Sequence, residues 1–271
     1  MKRKPIDIFR YYLRIVLLIA FSIVVAFPVL YMISSSLFSQ RDFNKLRVLP
    51  TTPMWSNYIK ALNHRYFSYY LVNSIGTSLL SAIIRTLVVI FASFALTHLQ
   101  FRGKKLILSA LVLTLFVPQE AILYQNYKTI ANLGLLDSWT AIIAPGLFSA
   151  AQMLLLMGSF TAQGRDTYDA ARMDGASDMR YIWSVLVPLS GPATLTIMIQ
   201  TLITSFNSYL WPLLVTNKPK TRTIQIGITM LGFAESGETG AQMATLALIT
   251  IPFLIILAFT KRRIENALIR R

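Results

Sequence analysis

Four stretches of this sequence, Ile15 to Gln40, Ser138 to Gly164, Tyr181 to Asn217 and Thr239 to Thr260, contain no Asp, Glu, Lys or Arg. A helix needs about 20 apolar residues to cross about 30 Å of hydrocarbon, and each stretch is at least that long. Two further runs are interrupted by one charge each, Tyr69 to His98 by Arg85 and Leu106 to Gln125 by Glu120. Composition agrees: 55% of the 271 residues are hydrophobic and 14% charged, against roughly a quarter charged in soluble domains. No Gly or Pro adjoins Arg85, so one continuous helix is predicted through it. The 37 residues from Tyr181 to Asn217 would extend about 55 Å as a single helix, too far for a bilayer. Pro188, Gly191 and Pro192 at one end and Pro212 at the other are expected to break it, leaving a span from Ala193 to about Leu210. The expected fold class is an all-α integral membrane protein with six transmembrane helices.

Six spans place both termini on one side. With the termini inside, the cytoplasmic segments 1–14, 98–105, 161–188 and 261–271 hold 16 Lys and Arg, and the outer segments 41–68, 126–138 and 216–240 hold 9. The excess favours cytoplasmic termini. The domain reading is a cytoplasmic N-terminus, 1–14, and one transmembrane domain, 15–271. A net charge of +15 would suggest nucleic acid in a soluble protein, but "MKRK" and "KRRIENALIRR" sit at membrane edges, where they fix topology and meet anionic lipid. Nucleic acid is not an expected partner. The first apolar run is too long for a signal peptide and lacks a clean small-residue cleavage site, so a retained span is expected.

The same residues exclude most chemistry. There is no cysteine, hence no thiolate metal site or thiol nucleophile. The two histidines, His64 and His98, fall on opposite faces of the membrane, and neither H-E-x-x-H nor G-x-S-x-G occurs. No catalytic residue, metal site or cofactor of its own is expected. "FRGKKL" lacks the upstream glycine and following Ser or Thr of a phosphate-binding loop. Any energy source must therefore come from another subunit or from an ion gradient. An ion-coupled secondary transporter is the competing class, but it would usually show repeated halves and intramembrane acids, whereas Glu120 is the sole acid in these spans.

Between two apolar stretches lies "DAARMDGASDMRYIWSVLVPLSGP", Asp169 to Pro192. Asp169 to Met173 is good helical sequence, Gly175 permits a turn, and Met179 to Val187 can form a second short helix before Pro188. This predicts a helix-turn-helix at the cytoplasmic face. Ala170, Ala171, Gly175 and Ala176 would let another protein approach the backbone, while Asp169, Asp174 and Asp178 offer acceptors to its Arg or Lys. An amphipathic connector resting on headgroups has the same pattern.

This segment resembles the EAA loop of binding-protein-dependent ABC transporter permeases. Asp169, Ala170 and Ala171 match the first block, Asp174, Gly175 and Ala176 the second, and Val185, Val187 and Pro188 the third; Asp169 stands where Glu is usual. "SFNSYLWPLLVT" from Ser205, "LGLLDS" from Leu133 and "RTIQIG" from Arg222 are similar to segments of maltose-type carbohydrate permeases, in particular the shorter six-span subunit. The resemblance implies an ATP-driven sugar importer of a bacterial or archaeal cell membrane. It implies a heterodimer with a second permease, two cytoplasmic ABC ATPase subunits that use ATP and Mg, and an extracytoplasmic sugar-binding protein. The loop at 161–192, through Asp169, Ala170, Ala171, Asp174, Gly175, Ala176 and Pro188, would couple the permease to the ATPase. Neutral oligosaccharides are the expected cargo, with an acidic sugar or glycerol phosphate of the same family's importers as the alternative.

Residues bearing on the cargo lie in two spans. Ser74, Ser78, Ser81 and Arg85 follow i, i+4, i+7, i+11 spacing and share one helix face, beside Asn73 and Thr77. A charge at mid-membrane usually points into a bundle or a wet cavity, so Arg85 either pairs, with Glu120 or the partner permease as candidates, or contacts an anionic ligand. Ser78, Ser81 and Arg85, with Asn207, Tyr209 and Trp211 near the outer end of the fifth span, are the candidate path residues. Amides bond sugar hydroxyls and aromatic rings stack on pyranose faces; an interfacial aromatic belt would also account for Trp211.

Overall fold

The computed structural model describes residues 5–230 and 238–269, and among these every regular element is helical. In chain order they are α1 (Pro5–Ser35), α2 (Gln40–Asn44), α3 (Ser56–Leu62), α4 (Phe67–His98), α5 (Lys104–Leu113), α6 (Gln119–Asn132), α7 (Trp139–Ile143) and α8 (Ala150–Thr161). There follow α9 (Asp166–Met173), α10 (Asp178–Tyr181), α11 (Val187–Leu189), α12 (Gly191–Phe206), α13 (Leu210–Val215), α14 (Ile224–Met230) and α15 (Thr239–Ile269). The chain forms two units, one of Met1–Arg65 with Ile228–Phe259 and one of Tyr66–Gly227 with Thr260–Arg271.

In the first unit, α1 exposes its apolar side chains along its length, from Tyr11 through Val16, Phe21 and Val24 to Leu30. Beyond it, Ser39 and Asp42 form a reciprocal capping box at the start of α2, which satisfies N–H groups a five-residue helix would otherwise leave free. The Asn57 amide on α3 donates to the carbonyls of Ser36 and Phe38, each at 2.9 Å. A Cβ at Gly240 would lie 2.5 Å from the Asn57 Nδ2 and 2.6 Å from the Phe38 carbonyl, so α15 can pass here only because that residue is glycine. Lys60 and Glu238 add an ion pair at 2.5 Å.

The second unit is built around α4, a continuous helix of 32 residues through Arg85, as its sequence predicts. Against it pack α8, α12 and the segment from α9 to α11, burying Val89, Ile90, Phe94, Met153, Leu156, Phe160, Ile182, Leu186 and Ile197 in one core. The buried Gln152 side chain of α8 bonds Thr201 of α12 at 3.1 Å, polar glue of the kind that holds helices together where apolar burial gives no preference between helix and lipid.

α1 and α4 are each long and apolar enough to cross a membrane alone. Three of the other expected spans are broken. α5, extended by a 3-10 turn to Phe116, meets α6 at 108°, and Val117 and Pro118 form the break. Pro118 has no N–H for a helix bond and drives the preceding residue into extended backbone, so the run Leu106 to Gln125 is not one straight crossing and Glu120 begins a second helix. α7 and its 3-10 extension Ala144–Gly146 meet α8 at 55°, with Ser149 capping α8 by accepting from the Gln152 N–H. Pro145 and Gly146 lie in that 3-10 turn, so the charge-free run Ser138 to Gly164 is not one straight span. In the fifth run the 86° bend falls at Ser190. Pro188 does not end its helix; a π turn over Ile182–Leu186 precedes it. This wider turn seats the ring, since Pro188 has no N–H to give the carbonyl four residues back and would crowd it in a regular helix. Pro212 likewise lies inside α13, and the preceding helix ends at Phe206. The sixth run lies within α15.

Candidate coupling surface and translocation path

The segment from Arg165 to Ser190 folds as the helix-turn-helix its sequence predicts. α9 ends at Met173, Gly175 takes a left-handed φ of +77°, and Ser177 caps α10 by accepting from the Arg180 N–H at 3.3 Å. A side chain at φ +77° is strained for most residues, yet a Cβ there would meet nothing within 4 Å. Asp169, Ala170, Asp174 and Gly175 are exposed, Ala176 is half-buried, and Met173 at the turn is 87% exposed. Together they present a small-residue surface with one protruding thioether. Ala171, Val185 and Val187 instead pack inward on the core beneath α4, so Ala171 does not belong to the outward face the sequence assigned it. Pro188 is exposed.

The loop's acids also divide. Asp178 Oδ1 accepts from the Tyr168 hydroxyl at 2.8 Å and from Arg172 Nη1 at 3.2 Å, tying α9 to α10. Burial and the Asp178 carboxylate push the Tyr168 phenol up. Asp178 is thus committed within the loop, whereas Asp169, 3.9 Å from Arg165, and Asp174 face outward.

On α4 the polar stripe is buried within the chain itself. Ser78 is 2% exposed and Ser81 4%, which leaves neither hydroxyl at a surface a solute could reach in this conformation. The spacing correctly identified a face turned from lipid, but its neighbours are the chain's own segments. Asn73 donates to the carbonyls of Lys220 and Arg222 and accepts from the Trp139 indole at 2.9 Å. Ser74 accepts from the Ile224 N–H at 2.7 Å. Gly76 leaves the room that Trp139 needs, since a Cβ there would stand 2.3 Å from its ring.

Arg85 is half-buried, and its Nε donates to the Gly146 carbonyl at the break between α7 and α8. Among the described residues no carboxylate lies within ion-pair distance of it, and Glu120, exposed at the start of α6, pairs with no cation there. In place of Glu120, the candidate within the chain, Arg85 bonds a backbone carbonyl that the bend frees from helix bonding. Only the tertiary structure brings residue 146 to residue 85.

The outer aromatic and amide residues separate similarly. The Trp211 indole donates to the Ala141 carbonyl at 3.0 Å and packs beside Ile130, Ala141 and Val215, which gives it a structural role. Asn207 is exposed, donating to the Ile203 carbonyl and accepting from Gln225 at 3.2 Å. Tyr209 is 41% exposed. Asp137, inside "LGLLDS" and not among the residues expected from sequence, has a φ of +59°. Its Oδ1 accepts from the Asn217 and Lys218 N–H groups at 2.6 and 2.8 Å and from the Thr221 hydroxyl at 3.0 Å. Burial opposes its charge, but these donors outweigh it and hold the carboxyl below its usual range. An Asp after Gly-Leu-Leu and before Ser was the available signal, since Asp tolerates the left-handed region and caps free N–H groups.

Known proteins are similar to this chain in sequence, and a solved structure is similar to it in fold. The permease UgpE of the sn-glycerol-3-phosphate transport system of Yersinia pestis is 29% identical over 278 residues, covering 98% of this chain and 97% of UgpE. The trehalose transport permease SugB of Mycobacterium tuberculosis is 29% identical over 89% of both chains. The sulfoquinovosyl glycerol transport permease SmoH of Agrobacterium fabrum is 26% identical over 89% of this chain and 86% of its own. The crystal structure of a bacterial ABC transporter involved in import of the acidic polysaccharide alginate contains a chain that superposes with a TM-score of 0.88 at 23% identity, over 97% of this chain and 99% of that one. Residues 90–270, two thirds of the sequence and all of the helix-turn-helix, match the family described as binding-protein-dependent transport system inner membrane component, and the chain belongs to that family.

Proposed function

We infer that this chain and a second permease together line a path for a sugar or polyol across a bacterial or archaeal cell membrane, with both termini in the cytoplasm. As a member of its family the chain is a permease subunit of an ABC importer rather than an enzyme. In the proposed assembly two cytoplasmic ATPases, which bind ATP and Mg, each receive one helix-turn-helix, and an extracytoplasmic binding protein delivers cargo. Residues 15–271 act as one permease domain, with 161–192 as the coupling loop. Closure of the ATPases would draw the loops together and convert an inward-open path to an outward-open one.

The observation that carries this reading is the turn at Gly175. It is exposed, lined by small residues, and open to an approaching surface. Gly175→Asn, which tolerates the left-handed backbone, is expected to retain a copurifying ATPase, and Gly175→Trp to lose it while still inserting in the membrane. A Gly175→Trp complex that retains its ATPase would overturn the coupling role of this turn, and a chain that purifies without any ATPase yet supports gradient-driven uptake would overturn the reading in favour of a secondary transporter.

For cargo, the amide and ring of Asn207 and Tyr209 suit a neutral glycoside. A second reading, an anionic glycoside or polyol phosphate, draws on Arg85, which has no carboxylate partner among the described residues. It also draws on similarity to proteins whose names specify sn-glycerol-3-phosphate, sulfoquinovosyl glycerol and alginate. Selective loss of sn-glycerol 3-phosphate uptake in Arg85→Gln, with trehalose uptake unchanged, favours the anion; the reverse favours the neutral sugar.

A further inference from the structure

Four rings meet where the last turn of α4 touches the helix-turn-helix. Phe94 and His98, one helical turn apart on the same face, stack with centroids 5.2 Å apart and planes 16° from parallel. Tyr168 of α9 meets His98 edge-on at 5.2 Å and Phe94 at 5.9 Å. Tyr181, the last residue of α10, meets His98 at 5.6 Å, Phe94 at 6.5 Å and Tyr168 at 5.1 Å. Every pair among the four is in contact, and all four side chains are buried, none more than 8% exposed. His98 Nδ1 is hydrogen-bonded to the Thr97 hydroxyl at 2.7 Å, which fixes the ring's rotation.

The tyrosines reach past this cluster to latch the loop. Tyr168 donates to Asp178, and the Tyr181 hydroxyl lies 3.0 Å from the Thr167 hydroxyl, so each ring ties its helix to the other. Lys104 donates to the Leu99 carbonyl at 2.9 Å, closing the end of α4. The Gln100 amide, oriented with its oxygen toward α9, accepts from Arg165 Nη1 at 2.9 Å and Nη2 at 3.1 Å. By contrast, the covalent route from α10 to α12 runs through the π turn and the 86° bend at Ser190. That route departs twice from a straight α-helix, whereas closely packed rings resist both sliding and rotation.

We propose that the end of α4 and the helix-turn-helix form one rigid joint with His98 as its positioning residue, so that displacement of the loop moves α4 through the four rings rather than through the chain alone. This rests on the coupling-loop reading above. His98 touches neither cargo nor nucleotide; it acts by holding Tyr168 and Tyr181 in register with Phe94. Histidine suits the position because a flat ring can stack on Phe94 while one nitrogen anchors to Thr97.

The chain has no cysteine, so nitroxides attach to it only where cysteines are introduced, and partner background is read from the unsubstituted complex. Labels at Asp166 on α9 and Leu87 on α4, both exposed, report the loop-to-helix distance by pulsed electron resonance in the assembled transporter. Measurements are made without nucleotide and after trapping with Mg-ATP and orthovanadate. The joint requires the same narrow distribution in both states. His98→Ala is expected to shift or broaden the trapped distribution by about 2 Å or more, the scale of helix translations in switching proteins, and His98→Phe to restore it. A merely stabilising residue would lower the yield of complex without a nucleotide-dependent change in distance. Where His98→Ala does not assemble, His98→Leu, which fills space without a ring stack, takes its place with the same readings. A parental distance that changes on trapping, or an unchanged distribution in the ringless variant, would overturn the proposal. Failure of the coupling-loop reading registers separately, as retention of the ATPase by Gly175→Trp.

Discussion

The contact between Arg85 and Gly146 makes a quantitative prediction that sequence reasoning would get wrong. Replacing Arg85 with Gln removes a charge-assisted hydrogen bond to the Gly146 carbonyl, worth about 1.5–3 kcal/mol. It also relieves the cost of holding a guanidinium out of water, so the net loss should fall near or below about 2 kcal/mol. Gly146→Ala attacks the same contact from the other side: its Cβ would stand 2.7 Å from Arg85 Nη2 and 3.9 Å from Cζ. The obstructing atom is the far end of a flexible side chain, so Arg85 must swing away from the carbonyl. The expected cost is about 1–2 kcal/mol, within the range for an overpacked methyl. With Gln at position 85 the obstruction is gone and the alanine should cost far less, giving a coupling of about 1 kcal/mol between the two sites. Glu120→Gln should be additive with Arg85→Gln to within about 0.5 kcal/mol. Thermal unfolding in nanodiscs, followed by tryptophan fluorescence across both cycles, measures these terms. Rescue of Arg85→Gln by Glu120→Gln, with no coupling to Gly146, would refute the assignment and restore an ion pair across the spans.

Three other outcomes test different parts of the molecule. Asp137→Gly keeps the left-handed backbone but loses three hydrogen bonds, whereas Asp137→Ala adds backbone strain of about 1 kcal/mol. Thermal stability should therefore rank Asn above Gly above Ala, and equal effects of Gly and Ala would remove the φ argument. Asp42 accepts from the hydroxyls of Thr51 and Ser39, which hold its carboxyl at about 2. Because its folded value is depressed, this stabilisation is complete above about pH 4, where the unfolded chain is also ionised, and is lost as pH falls through about 2. The stability difference between the parent and Asp42→Asn should thus be constant from pH 7 to 5, and a difference that changes across that range contradicts the geometry. Finally, single cysteines at Ser177 and Thr52 should react with an impermeant maleimide from the cytoplasmic and outer sides respectively. Labelling of both from one side would refute the six-span arrangement, since three of its spans separate them, and labelling from the opposite sides would reverse the orientation drawn from basic-residue bias.

Apolar length, the spacing of basic clusters and the three-block motif determined the membrane class, the family and the helix-turn-helix with its left-handed Gly175. These features are local or additive: hydrocarbon thickness sets a run length, and a left-handed backbone position favours glycine wherever it occurs. The sequence also identified the face of α4 turned from lipid, because helical periodicity alone places Ser74, Ser78, Ser81 and Arg85 together. What that face meets was decided only in three dimensions. Proline positions indicated breaks without fixing them, since a π turn can absorb Pro188 while the bend moves to Ser190. Likewise no pattern joins His98 to Tyr168 and Tyr181, or Asp137 to residues 217–221, across about 70 to 85 positions of chain. A hydrogen-bond acceptor or an aromatic ring is recognised by its chemistry, but which partner it finds depends on the path of the backbone. Arg85 shows the limit most directly: its charge suggested an acid, and the fold supplied a carbonyl left free where a helix bends.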